Sequence, residues 1–348
     1  MRAAVYYGNT DLRVEDVPEP TPGPGQVKLK VHRNGICGSD LHEYYDGPIF
    51  TSAEPNALTG KGRPVVMGHE FCGTITDLGA GVTGYAVGDR VTIEPLYRCG
   101  KCRACLKGDY NMCKQLAFHG LNADGGLAEY TAVPVDQLHK LPDAVSLDIG
   151  ALVEPMAVAY HAAVMGQVNP ESTALIYGAG PIGIGLWFAL RGMGLTQIEV
   201  VEPSPIRRGI IERLGAVTLD PTTVDVPALI ADRTNGDGVD AAFDAAGVAA
   251  SVASALECVG ERRVMVAVAI YSHPLETPLL NLVMRERRIQ GTLCYTGADF
   301  RAVMDLMADG HYDTTGWVES IALSDVIQGG FEELRAGRRG KLLVDPTR

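Results

Sequence analysis

Three stretches of this chain predict an α/β protein of two domains, one β-rich and one built on a parallel sheet. The first is a glycine-rich turn, Gly178-Ala179-Gly180-Pro181-Ile182-Gly183, set between an apolar strand-like run at 173–177 and an apolar helical run at 184–190. The second is the alternation of strand and helix patterns from about residue 155 to 286, which a right-handed βαβ winding turns into a parallel sheet. The third is the opening third of the chain, where short alternating runs such as Val27-Lys28-Leu29-Lys30-Val31 are separated by glycine- and proline-rich turns.

Length and composition agree with that reading. The 348 residues are enough for two domains with real cores, and 46% hydrophobic with 21% charged content is ordinary for a globular protein. The 41 glycines fit many tight strand-to-helix turns. A formal net charge of -12 argues against nucleic acid or an anionic membrane as a partner. The N-terminus runs straight into a strand-like segment without the apolar core of a signal peptide, and no apolar stretch has the length of a membrane span. These features lead us to expect a cytoplasmic protein, so its eight cysteines are expected to bind metal rather than to form disulfides.

Taken in order, the first strands deliver Cys37 after a turn-rich segment at 18–25. Cys37-Gly-Ser39-Asp40-Leu41-His42 is followed by Gly68-His69-Glu70. A thiolate from Cys37 and an imidazole from His69 suit zinc, with Glu70 adding a carboxylate. Ser39 and His42 offer a hydroxyl and an imidazole to carry protons. Each of these residues alone has a bland reading: a buried cysteine, turn or cap residues, a helix start with an acid. Together, Cys37-x-Ser39-x-x-His42 and Gly68-His69-Glu70-x-x-Gly73-x5-Gly79-x2-Val82 are hard to produce by chance. The pattern resembles the zinc-containing medium-chain dehydrogenase/reductase family, which includes alcohol, sorbitol, threonine and butanediol dehydrogenases. The resemblance implies that Cys37 and His69 bind a catalytic zinc, that Glu70 is a direct or alternating ligand, and that Ser39 and His42 form a proton relay.

The segment Glu43-Tyr44-Tyr45-Asp46-Gly47-Pro48-Ile49-Phe50 is read as a surface loop whose first part borders the metal site and can line a substrate pocket. It looks like the butanediol dehydrogenase branch of the family. Strands are expected at 74–76 and 90–93, with glycine turns between them.

Cys99-x2-Cys102-x2-Cys105-x7-Cys113 places four thiolates within fifteen residues, enough to close a tetrahedral metal shell with no open position. A disulfide pair or an iron–sulfur cluster is the alternative on spacing alone. The family resemblance implies a structural zinc. Gly125 to Tyr130 begins a further strand ending at 131–133. Gly150-Ala151-Leu152-Val153-Glu154-Pro155 surrounds one acid with apolar residues. By resemblance to the polyol and butanediol branch, Glu154 fills the third catalytic-zinc position, directly or through water. Sequence leaves open which of Glu70 and Glu154 binds directly.

In the second half, the turn Gly178, Gly180, Pro181, Ile182 and Gly183 between strand and helix is a Rossmann fingerprint, whose glycines let a pyrophosphate approach a helix N-terminus. The strand 197–201 ends at Glu202, about where a ribose 2′-hydroxyl is accepted and a 2′-phosphate repelled. NAD is therefore expected over NADP, although Arg207 nearby is a group that can accept a phosphate. A strand at 263–270 is expected, and the resemblance implies that Val268 and Ile270 pack on the nicotinamide. The chain is expected to return to the first domain from about Glu286, through a strand at 289–293, a helix at 300–309 and a closing strand at 341–344. Cys72, Cys258 and Cys294 read as core fillers.

The expected fold is a GroES-like β-rich catalytic domain, residues 1–154 and 287–348, with a Rossmann NAD-binding domain at 155–286. The resemblance implies a substrate cleft between them, two zinc ions per chain, and a homodimer or homotetramer. The expected activity is reversible oxidation of a small secondary alcohol or vicinal diol, 2,3-butanediol before sorbitol or threonine. The proton would leave through Ser39, a cofactor ribose hydroxyl and His42. A catalytically retired NAD- and zinc-binding protein is the alternative of another class, against which the intact relay speaks.

Overall fold

The computed structural model describes residues 1–271 and 273–348. They divide into two compact units: one of Met1–Glu154, Thr296–Gly310 and Thr314–Arg348, the other of Pro155–Tyr295 and His311–Asp313. Among the described residues no helix is long and apolar enough to cross a membrane.

The first unit is organised by the strand Gln26–Gly35. It pairs antiparallel with Glu70–Leu78 along its length, with Tyr130–Pro134 over its first half, and with Lys341–Asp345 at its last two residues. The alternation read in the sequence puts Val27, Leu29 and Val31 inward, where they pack with Phe71, Ile75, Val91, Ile93 and Val133. Each such burial contributes on the order of 1.5–3 kcal/mol. A second core, around Tyr6, Tyr44, Met67, Leu127, Phe331 and Leu342, lies under the first helix, Gly38–Asp46. The ladder from Gly125 is shorter than expected. Gly125, Gly126 and Leu127 donate to the carbonyls of Val66, Gly68 and Met67, and the strand itself is Tyr130–Pro134.

The second unit holds a six-stranded, all-parallel sheet in the order Val217–Leu219, Gln197–Val201, Thr173–Tyr177, Val239–Asp244, Val259–Ala267, Arg288–Gly291. This is the strand order of a Rossmann sheet. Two boundaries differ from the sequence reading. The strand expected at 263–270 ends at Ala267, because Val268 and Ala269 turn to donate to the Asp244 carbonyl. The strand after Glu286 pairs with Val259–Ala267, so the second unit runs on to Tyr295 before the chain returns. Parallel register with an apolar neighbour decided this, and the exposed sequence Arg288–Gly291 gave no periodic sign of it. Cys72 and Cys258 are buried as expected, whereas Cys294 is half-buried.

The glycine turn shows why each glycine is there. Gly178 has φ +97°, which a side chain disfavours. A Cβ on Gly183 would stand 1.9 Å from the Gly178 carbonyl oxygen. At Gly180, which caps the helix Pro181–Gly192, a Cβ would meet nothing within 4 Å. Gly183 is thus required by the fold, while Gly180 leaves open space for a ligand. Gly183→Ala should cost about 1–3 kcal/mol of stability in thermal unfolding, and Gly180→Ala under about 1 kcal/mol. Equal losses at the two positions would contradict this division of roles.

Candidate active site and metal centres

One strand register brings the site together. In the antiparallel pair, Gly35 stands opposite Glu70. Cys37 lies two residues past Gly35, and His69 one residue before Glu70, so both project from the same end of the ladder. One donor atom from each of Cys37, His69 and Glu70 lies within 4.8 Å of the others. Gly35 is required at this point: a Cβ there would meet Glu70 Oε2 at 2.0 Å.

The surroundings orient each donor. Cys37 caps the helix Gly38–Asp46, and its backbone N–H donates to Asp40 Oδ2 at 3.0 Å. The other Asp40 oxygen faces His69 Nδ1 at 3.4 Å, which leaves His69 Nε2 as the ring nitrogen directed to a ligand. Ser39 Oγ sits 3.2 Å from that Nε2. Burial opposes charge on His69, yet Asp40 and Cys37 outweigh it and hold the imidazole well above its usual pKa. Glu70 Oε2 accepts from the ammonium of Lys341, a fully buried ion pair, and Lys341 Nζ also donates to the Ile36 carbonyl at 2.9 Å. Burial works against the Lys341 charge, but Glu70, Cys37 and Glu154 outweigh it and raise its pKa.

One buried acceptor is left over: Glu70 Oε1 has no hydrogen-bond partner. An unpaired buried group of this kind is costly. A thiolate, an imidazole and a carboxylate converging there fit a zinc-type cation. Glu154, in the first turn of the helix Val153–Met165, is buried but stands outside the group of three. His42 lies on the same helix as Ser39, one turn on, and its Nδ1 faces Asp46 Oδ2 at 3.4 Å near solvent.

The second cluster is Cys99, Cys102, Cys105 and Cys113, again within 4.8 Å. Its sulfurs are 3.5 Å apart for Cys102–Cys105 and 4.0 Å for Cys99–Cys105, against ~2.05 Å for a disulfide bond. Backbone N–H groups of Cys105 and Lys114 lower the Cys102 thiol to about 6, and those of Lys101 and Cys102 lower Cys99. Burial pushes Cys105 up to about 12. Four sulfurs with backbone donors aimed at them, and none bonded to another, fit a closed shell around a cation. The lobe is fastened to the rest of its unit through Tyr110, whose hydroxyl accepts from Gly297 N–H and whose ring carries the Arg98 guanidinium at 4.3 Å.

In the second unit, Glu202 ends the strand Gln197–Val201 and is buried. Its Oε2 accepts from Ala179 N–H and its Oε1 from Ser204 N–H, each at 2.8 Å. The acid is therefore part of the glycine turn's own hydrogen-bonding. Arg207 is exposed on the following helix, Pro205–Arg213. Its neighbour Arg208 is committed to the Glu202 and Pro203 carbonyls and to Asp220. Pro181 and Ile182 open the helix after the turn. Val268 and the exposed Ile270 follow the carboxyl end of the strand Val259–Ala267.

Comparison with known proteins agrees with this geometry. Residues 23–143 match the alcohol dehydrogenase GroES-like domain family, and residues 181–309 the zinc-binding dehydrogenase family. The (R,R)-butanediol dehydrogenase of Bacillus subtilis is 41% identical over the whole of both chains. The chain belongs to the zinc-containing medium-chain dehydrogenases. A second relative, the (R,R)-butanediol dehydrogenase of Neisseria gonorrhoeae, is 35% identical over the whole of both chains. The crystal structure of 2R,3R-butanediol dehydrogenase from Bacillus subtilis superposes with a TM-score of 0.94 at 40% identity, covering 99% of each chain.

Three residues of this dehydrogenase escaped the sequence reading. Asp40 carried a signal, an acid three residues after the cap position, where it receives the cap's N–H. Glu43 was read as the start of a surface loop; it lies instead in the helix Gly38–Asp46 and is fully buried. Lys341 is 271 residues from Glu70 and becomes visible only once the strands pair. Purified protein should hold one metal in each of the two clusters. Cys102→Ser should release one of them and cost more than about 4 kcal/mol in unfolding, as loss of a structural metal does. Full metal content in that variant would contradict a four-cysteine shell.

Proposed function

We propose that the protein is an NAD-linked, zinc-dependent secondary-alcohol dehydrogenase that interconverts 2,3-butanediol and acetoin and reduces diacetyl or acetoin in the reverse direction. The observation that carries this reading is the register-locked group Cys37, His69 and Glu70 with Ser39 and His42 on the adjoining helix. Full-length likeness to two (R,R)-butanediol dehydrogenases supports the substrate.

Cys37 and His69, with Glu70 or Glu154 beside them, would hold the catalytic zinc, and Cys99, Cys102, Cys105 and Cys113 a structural one. When bound, zinc supplies Lewis acidity that lowers the alcohol's pKa, and NAD supplies the hydride acceptor. The chain's own groups handle the rest. Ser39 Oγ, beside His69 Nε2, would accept the hydroxyl proton as it releases its own toward His42. His42, one turn on, passes it toward solvent and faces Asp46. Lys341 neutralises one oxygen of Glu70, so that carboxylate can stay buried without a second anion's repulsion.

Cofactor preference rests on Glu202. Its buried carboxylate beside the glycine turn would repel a 2′-phosphate, which favours NAD. Gly178, Gly180, Pro181, Ile182 and Gly183 would receive the pyrophosphate, with Arg207, Val268 and Ile270 as further contacts. Assembly as a homodimer or homotetramer belongs to the same reading. It is supported by the helix Leu279–Arg285, where Leu279, Leu280, Val283 and Met284 are 67–74% exposed, a grouping that monomers rarely leave uncovered.

The test is NADH formation with (R,R)-, (S,S)- and meso-2,3-butanediol, sorbitol, threonine and ethanol in parallel. Chelator-sensitive turnover of a butanediol isomer is expected. Turnover confined to sorbitol or threonine would overturn the substrate, and silence on every alcohol would overturn the activity. Ser39→Ala and His42→Ala should each lower kcat by roughly 10²–10⁴ if they carry the proton, with metal content unchanged.

A further inference from the structure

We propose that Glu43 is a positioning residue that sets preference for substrates with apolar ends, by holding Ile49 and Phe50 as an apolar rim beside the metal-ligand cluster. The proposal rests on the alcohol-dehydrogenase reading above and deepens it.

Glu43 is a completely buried acid on the helix that Cys37 caps. Its carboxylate makes no ion pair among the described residues. It instead accepts four hydrogen bonds from the loop that follows the helix. Ile49 N–H and Phe50 N–H donate to Oε2 at 3.0 and 2.7 Å. Thr51 N–H and Thr51 Oγ1–H donate to Oε1 at 3.3 and 2.5 Å. Such charge-assisted bonds are about twice as strong as neutral ones. The chain reverses tightly to make them: a Cβ on Gly47 would stand 2.0 Å from the Glu43 carbonyl oxygen.

A buried anion is costly in a helix that needs none for its own folding. What it provides is a fixed loop whose apolar side chains stay outside. Ile49 is 51% exposed and Phe50 39%, while Thr51 is buried. The loop is tied on two sides to segments that carry metal ligands. Glu43 is six residues along the helix from Cys37, about 9 Å of rise. On the other side, Asn122 donates to the Phe50 carbonyl at 3.0 Å. The Asn122 segment abuts the His69 turn, since a Cβ on Gly120 or Gly125 would lie 2.5 or 2.1 Å from the Gly68 carbonyl oxygen. Two methyl ends of a vicinal diol suit an apolar rim; hydroxymethyl ends lose hydrogen bonds to water there.

The experiment compares wild type, Glu43→Gln and Ile49→Ala/Phe50→Ala on two substrates with the same pair of secondary carbinols and different ends, 2,3-butanediol and threitol. Steady-state kcat and KM are measured at saturating NAD, with metal content and with hydrogen exchange of the loop amides. Both variants should raise KM for butanediol by about 10-fold or more, the scale of lost apolar contacts. Their kcat should stay close to wild type, their metal should be retained, and KM for threitol should change little. Exchange at residues 49–51 should speed up in Glu43→Gln. If Glu43→Gln does not fold, Ile49→Ala/Phe50→Ala carries the test. Equal KM changes for the two substrates, a fall in kcat at constant KM, or loop variants that behave as wild type would overturn the proposal and leave the activity standing. Wild-type enzyme that leaves butanediol untouched would overturn the substrate reading and this proposal with it.

Discussion

Everything at the catalytic end of this molecule depends on one antiparallel register, Gly35 opposite Glu70. A one-residue slip in such a pair turns every side chain to the other face. Here it would separate Cys37 from His69 and turn Glu70 away from Lys341. The register is held by inward Val27, Leu29 and Val31 against Phe71 and Ile75, well away from the chemistry. It is also held by the closing strand Lys341–Asp345, whose Leu343 and Val344 pair with Gly35 and Asn34. Apolar packing thus sets the position of donors that could not hold one another in place unaided.

The donors would otherwise be unfavourable neighbours. Cys37, Asp40, Glu70 and Glu154 bring acidic groups into one region, where Lys341 pairs with Glu70 and His69 faces Asp40. An excess of buried anionic donors is tolerated where a cation completes them. The raised pKa values of His69 and Lys341 report the same excess from the cationic side. The Cys99–Cys113 lobe solves the smaller problem of four thiols by aiming backbone N–H groups at them.

What was legible in the sequence was what is local in it. The glycine turn at 178–183, the four-cysteine spacing and the Cys37, Ser39, His42 series each lie within one turn or one short loop, so spacing fixes their geometry. Glu202 was legible as an acid at a strand end, but not as an acceptor for Ala179 and Ser204, because that needs the neighbouring strand. Lys341 and Glu43 were illegible for a different reason. Their roles come from burial, and a charged residue in a sequence reads as exposed. The strand Arg288–Gly291 was assigned to the wrong unit because all four of its residues are exposed and carry no inward face. The structure groups Glu70 with Cys37 and His69, a proximity that spacing could not show.

X-ray absorption at the zinc edge, on wild type and on Cys37→Ala, tests the central claim most directly. The account predicts two zinc ions per chain in wild type, with sulfur and nitrogen or oxygen neighbours mixed, and one zinc with sulfur neighbours only in Cys37→Ala. Sulfur-only ligation in wild type, or two zinc ions retained by the variant, would contradict it.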